Sequence, residues 1–191
     1  MKREQFSISD RTCFLYHDAA ATHLLIQPVD EHDLEVLNQE VDIIRNQTKT
    51  PFSLVALLIE DWNQELTPWT APAVFGKIPF GDGANDTLKF ITEQLLPSLT
   101  ANGIYDASMK LLMGGYSLAG LFALWSAYQT DMFDGIAAAS PSVWFPKWID
   151  YATEKRPLAK SIYLSLGDKD NQRKSVFFYM SPLKIEYFYQ K

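Results

Sequence analysis

Met113-Gly114-Gly115-Tyr116-Ser117-Leu118-Ala119-Gly120-Leu121 is the stretch on which the reading of this chain turns. An apolar run from Lys110 to Met113 leads into it, and a helical pattern from Leu118 to Tyr128 leads out. Gly115 and Ala119 stand two residues before and two after Ser117, and Gly120 comes next. A strand, a sharp turn and a helix with small residues at those spacings make a nucleophile elbow: the serine occupies a strained backbone conformation, and only small neighbours let the turn close. The helix that follows points its unpaired N–H groups and positive dipole end to where an oxyanion would form. Ser117 is therefore the candidate nucleophile. A tight turn with a helix cap would use similar residues, but the phosphate-cradling patterns G-x-G-x-x-G and G-K-[ST] are absent here.

Working outward, short apolar runs alternate with helical patterns. His23 to Gln27 reads as a strand closed by Pro28. Leu34, Leu37, Val41 and Ile44 follow at helical spacing, with Asp30 or Asp33 as cap. Phe52 to Ile59 reads as a buried strand, and Asp61 to Gly83 as a long loop rich in Pro, Gly and Trp. Leu88, Ile91, Leu95 and Leu99 mark a helix that stops at Asn102-Gly103. Met109 to Met113, Gly135 to Ala139 and Ser161 to Leu166 read as further strands, with a helix over Trp148 to Glu154 before Pro157. The sum is an α/β fold, a mostly parallel sheet with flanking helices. Residues 171–191, with Phe177, Phe178, Tyr179, Tyr187, Phe188 and Tyr189, show neither a helical period nor a clean strand alternation.

The 191 residues fit one domain, and 47% hydrophobic content supplies a core without metal or disulfide staples. A single cysteine, Cys13, excludes an intrachain disulfide and fits a reducing compartment. With 17 Lys+Arg against 23 Asp+Glu the net charge is −6, which argues against nucleic-acid binding. No run approaches the ~18 apolar residues of a membrane span. The start, MKREQFSISD, lacks the apolar stretch of a secretory signal. Together these predict a cytoplasmic protein with no membrane association and no metal.

Two further groups would complete a site around Ser117. One oxyanion donor would be the N–H of Leu118; the second would come from the loop after Phe52–Ile59, at Trp62 or Asn63. Trp62 and Trp69 in that loop could wall an apolar acyl pocket, or simply pack on the core. Past the strand Ser161–Leu166, Gly167-Asp168-Lys169-Asp170 offers a carboxylate where the triad acid falls in the order Ser, Asp/Glu, His. Asp170 is the first choice and Asp168 the second; a solvated Gly-Asp turn is the plainer alternative.

These residues resemble the esterase branch of the α/β-hydrolases that contains enterochelin esterase-like and esterase D-like proteins. The likeness is carried by IEDWNQELTPW at 59–69, GGYSLAGL at 114–121, ASPSVWF at 139–145 and SLGDKD at 165–170, and it spans about residues 22–170. The resemblance implies that Ser117 is the nucleophile, that Leu118 and Trp62 form the oxyanion hole, and that Asp170 is the acid. Tyr116, Ser140, Pro141, Ser142 and Trp144 would line the rim with Trp62 and Trp69. It further implies hydrolysis of small-molecule carboxylic esters or thioesters through an acyl-enzyme, with no cofactor. A non-catalytic ligand-binding protein on the same scaffold, or an acyltransferase, is the alternative.

The base is missing from this pattern. A serine hydroxyl needs one to become a useful nucleophile, yet His17, His23 and His32 all precede Ser117 and no histidine follows Asp170. Members of the branch continue past the acid with a helix, a last strand and a histidine-bearing loop. The expectation is an incomplete hydrolase domain over 1–170, a non-native or frame-shifted tail over 171–191, and impaired activity. Translating the downstream DNA in the other two frames should reveal a histidine-containing continuation; its absence from both frames would remove that explanation.

Overall fold

The computed structural model describes residues 1–74 and 76–166 with their side chains, and 176–181 and 184–189 as backbone. Strand β3 (His23–Val29) is followed by helix α1 (Glu31–Gln47) and strand β4 (Phe52–Leu58). Short helix α2 (Trp62–Glu65) opens the long loop, which ends at α3 (Ala84–Phe90). A π turn (Ile91–Leu95) joins α3 to α4 (Leu96–Ala101). Then come β5 (Lys110–Tyr116), α5 (Leu118–Ser126), β6 (Gly135–Ala139), α6 (Trp148–Glu154) and β7 (Ser161–Leu166). Ahead of these lies a hairpin of β1 (Arg3–Ile8) and β2 (Arg11–Tyr16), and after them β8 (Val176–Ser181) and β9 (Lys184–Tyr189).

The sheet order is β1-β2-β4-β3-β5-β6-β7-β8-β9. The pairs β3–β4, β3–β5, β5–β6 and β6–β7 are parallel. The outer pairs β1–β2, β2–β4, β7–β8 and β8–β9 are antiparallel. The parallel centre is buried on both faces, which is why its strands read as continuous apolar runs. On one face α1 covers Phe14, Tyr16, Val29, Leu54 and Ala56 through Leu37 and Val41. On the other, α3, α4, α5 and α6 pack on Leu24, Ile26, Val55, Leu57, Met113 and Ile136.

Several elements depart from the sequence reading, each for a physical reason. The N-terminal hairpin is not among the expected elements: β1 is mostly exposed and carries no apolar run, whereas β2 carries a short buried one, Cys13 to Tyr16. Pro28 lies inside β3 rather than closing it. The β3–β5 ladder ends at Ile26↔Met113, while pairing with β4 continues to Val29↔Leu58. Pro28 therefore has a neighbour on one side only, as at an edge, where a missing N–H is tolerated. The π turn lies just before Pro97, where the Leu96 N–H bonds back to the Ile91 carbonyl; proline cannot make the ordinary helical bond and crowds the preceding turn. Asp30 and Asp33 act together at the start of α1 as a reciprocal capping box rather than as alternatives. The tail, which showed neither pattern, contributes β8 and β9 as backbone strands.

Burial pushes the Cys13 thiol up to about 12 despite the lowering influence of Arg11, so it is a core residue. No helix among the described residues is long and apolar enough to cross a membrane, and no cluster of His, Cys, Asp and Glu among them has metal-binding geometry.

Asp134, just before β6, ties the amino ends of three strands together. Its carboxylate accepts from Lys160 Nζ at 2.6 Å, from the Leu111 N–H at 3.0 Å and from Lys110 Nζ at 3.3 Å. Burial alone would raise this carboxyl, but those hydrogen bonds outweigh it and hold it below the usual aspartate range. A carboxylate held low in the folded state adds stability above its unfolded value and loses that stability as pH falls through the lowered folded value. Asp134→Asn should therefore cost about 1 kcal/mol at neutral pH in urea unfolding. The gap to the parent protein should close below the folded carboxyl range; a gap that stays constant with pH would contradict this assignment.

Candidate active site at the carboxyl ends of the parallel strands

Strands β4, β5 and β6 run parallel to β3, so the segments following them emerge at one edge of the sheet, where open α/β folds place their ligand sites. Ser117 stands between β5 and α5 with φ +56° and ψ −118°, in the left-handed half of backbone space that L side chains rarely adopt. The cause lies in the packing around it. A Cβ on Gly115 would overlap the Ala119 carbonyl carbon, and a Cβ on Gly120 would sit 3.1 Å from Pro141 Cα. The turn closes backbone on backbone, and glycine at 115 is what permits it.

Hydrogen bonds then hold the turn to the next strand. The Ser117 N–H donates to the Ala139 carbonyl at 3.1 Å, and the Ser142 N–H donates to the Ser117 carbonyl at 3.0 Å. The Leu121 N–H also reaches the Ser117 carbonyl, as the first full helical bond of α5. The amides of Leu118, Ala119 and Gly120 therefore have no intrahelical acceptor. Ser140, itself at φ +42°, donates its N–H to the Ser165 carbonyl of β7 at 2.7 Å.

The loop after β4 is ordered by a different set of bonds. Glu65 Oε1 accepts from the N–H groups of Glu60 at 3.1 Å and Asp61 at 2.9 Å, and the Asp61 side chain caps the Gln64 N–H at 3.0 Å. The Glu65 N–H reaches the Asp61 carbonyl. Within this turn the amides of Trp62 and Asn63 have no acceptor among the described residues. Arg11, from the N-terminal hairpin, pairs with Glu65 at 2.9 Å and lies over the Phe90 ring. Buried Thr67 donates to the carbonyls of Asn63 and Gly81 and closes the loop on itself.

Aromatic side chains join this loop to the segment after β6. Trp69 packs against Phe145 and Tyr151 at 5.6 and 5.3 Å between centroids and donates its indole N–H to the Pro146 carbonyl at 2.9 Å. Phe80 meets Phe145 edge-on at 5.2 Å and Trp144 at 6.0 Å. Trp69 is thus half-buried and committed to holding two loops together. Tyr116 and Trp144 remain 62% and 44% exposed, enough to present ring faces to a ligand.

Of the residues singled out in the sequence, Ser117, Leu118 and Tyr116 come together at the elbow, with Trp144 in the neighbouring segment; Trp62 and Trp69 lie in the loop after β4. Asp168 and Asp170 lie outside the described residues. Ser142, expected at the rim, is instead 1% exposed and buried beside Ser117, its hydroxyl 3.3 Å from Ser117 Oγ. His17 faces Ser53 and His23 faces Thr22, both at the amino ends of the parallel strands. That is about 20 Å from Ser117, the length of β5. His32 is exposed on the first turn of α1, across the sheet from α5.

This is the α/β-hydrolase fold. Solved structures share it at low identity. An IroE-like serine hydrolase from Shewanella oneidensis matches with TM-score 0.68 and 16% identity over 80% of this chain and 55% of its own. The siderophore hydrolase EstB from Aspergillus nidulans matches with TM-score 0.65 and 21% identity over 90% of this chain and 71% of its own. The BES protein from Bacillus cereus matches with TM-score 0.60 and 19% identity over 88% and 74%. No curated protein sequence matches. The chain spans little more than half of the Shewanella protein. The family model described as Putative esterase matches residues 49–177, well over half of the chain, and the chain belongs to that esterase family.

Gly115→Ala should cost about 3 kcal/mol or prevent folding, because the new methyl meets backbone that cannot move aside. Gly120→Ala, with its looser approach, should cost less. Equal urea midpoints for the two variants would contradict this account of the elbow.

Proposed function

We propose that the chain acts as a serine-dependent carboxylic ester hydrolase through an acyl-enzyme on Ser117. The observation that carries this reading is the strained Ser117 at the head of α5, beside amides with no intrahelical acceptor. Ser117 Oγ attacks the ester carbonyl, and its proton passes to water, which returns one to the departing alkoxide oxygen. The carbonyl oxygen takes up the negative charge, stabilised by the N–H of Leu118 and, from the loop after β4, the N–H of Trp62. Collapse expels the alcohol and leaves an acyl ester on Ser117, which water hydrolyses in a second passage through the same oxyanion site. Asp170, or Asp168 in its place, would serve as the acid that orients a base. Tyr116 and Trp144 offer aromatic faces on which a ring-bearing ester could stack, with Trp62 and Trp69 walling the acyl side. Siderophore hydrolases are among the proteins of this fold, and an aryl-substituted ester suits such a rim.

The histidines favour weak turnover by this chain. All three are described, and none is hydrogen-bonded to Ser117 among the described residues. Loss of a triad member leaves residual catalysis from oxyanion hole and binding alone. The same observation favours, as a second reading, a ligand-binding protein on a hydrolase scaffold.

Turnover of p-nitrophenyl acetate separates the two. Ser117→Ala should abolish whatever turnover exceeds the buffer rate; equal rates for variant and parent would sink the hydrolase reading and leave the binding one.

A further inference from the structure

Among the described residues, Ser142 stands out as a buried hydroxyl bonded to the Ser117 hydroxyl. It is 1% exposed, and its Oγ lies 3.3 Å from Ser117 Oγ. Its backbone N–H donates to the Ser117 carbonyl at 3.0 Å, so one residue grips the nucleophile at two points. The preceding Pro141 packs against Gly120, and the Ser140 N–H is fixed to β7, so the turn carrying Ser142 cannot drift from the elbow.

We infer that Ser142 is a positioning residue for Ser117, holding its Oγ in one rotamer and supplying a donor when that oxygen loses its proton. This rests on the reading of Ser117 as nucleophile. A hydroxyl carries one donor and two acceptor sites. At rest Ser117 can donate to Ser142, whose oxygen accepts with one of its two lone pairs. Once the Ser117 proton leaves, the Ser142 O–H rotates and donates to the charge developing on Ser117 Oγ. No heavy atom needs to move, because both hydroxyls keep their places and only protons reorient. A buried hydroxyl without a partner would be costly, so the pair persists in either orientation. Ser142 is not the base: its own proton stays bound throughout.

The test is labelling of the full chain by a fluorophosphonate, in which Ser117 Oγ forms a bond to phosphorus, fluoride departs and the serine proton passes to water. The saturating labelling rate and the half-saturating probe concentration are measured separately. Ser142→Ala should lower the saturating rate on the order of tenfold, the usual effect of one hydrogen bond to a charged atom, with the half-saturating concentration and the thermal midpoint little changed. Ser142→Cys, which keeps a weak donor of similar shape, should recover part of the loss. Ser117→Ala should not label at all. If Ser142→Ala labels at the parent rate, or loses rate only in step with thermal stability, the positioning role is wrong while the nucleophile stands. If Ser117→Ala labels like the parent, or the parent does not label, both readings fall together.

Discussion

The contact between Gly115 and the Ala119 backbone is the constraint on which the rest of the site depends. With no room for a methyl at 115, β5 meets α5 at closer than ordinary distance, and the serine between them is forced to positive φ. Such strain costs on the order of 1–3 kcal/mol and persists only where surrounding structure over-determines it. Here Ala139, Ser142 and Leu121 hold the Ser117 backbone from three directions, and Pro141 presses on Gly120. The strain is thus offset by packing and hydrogen bonds within the scaffold, independently of any substrate.

A second layer of construction fixes the loop after β4. Glu65 gathers two backbone amides and an arginine, Thr67 closes the loop, and Trp69 staples it to the segment beyond β6. The N-terminal hairpin belongs to this layer, since Arg11 reaches Glu65 from β2. Three successive segments at one edge of the sheet are therefore held in mutual register by polar bonds and by one aromatic cluster. Tyr116 keeps most of its ring exposed, and Trp144 keeps part of its ring exposed while packing on Phe80.

The parallel centre of the fold and the elbow were legible in the sequence for the same reason. Strands buried on both faces leave unbroken apolar runs, and a backbone turned on itself demands small residues at fixed spacing. In the hairpin only β1, at the sheet edge and weakly alternating, leaves no such mark; β2 leaves the short apolar run Cys13 to Tyr16. Pro28 misled because its tolerance depends on a ladder that stops one side short, a fact of pairing rather than of sequence. Ser140-Pro141-Ser142 announced two hydroxyls near Ser117 but not which of them lies buried against it. Only the turn at Ser140, with its positive φ, sends Ser142 inward.

The strand order carries a consequence for how the molecule is assembled. Strand β3 lies between β4, which follows it closely in the chain, and β5, which arrives only after the long loop and α3–α4. The hairpin, β3, α1 and β4 can pair among themselves, yet the far side of β3 from His23 to Ile26 stays an open, apolar edge until β5 adds to it. Open edges of that kind invite pairing with other chains. The strand that seals this edge is the one that ends in Gly115-Tyr116-Ser117. Sealing the open edge of the sheet and placing the Ser117 turn are thus tied to the same strand.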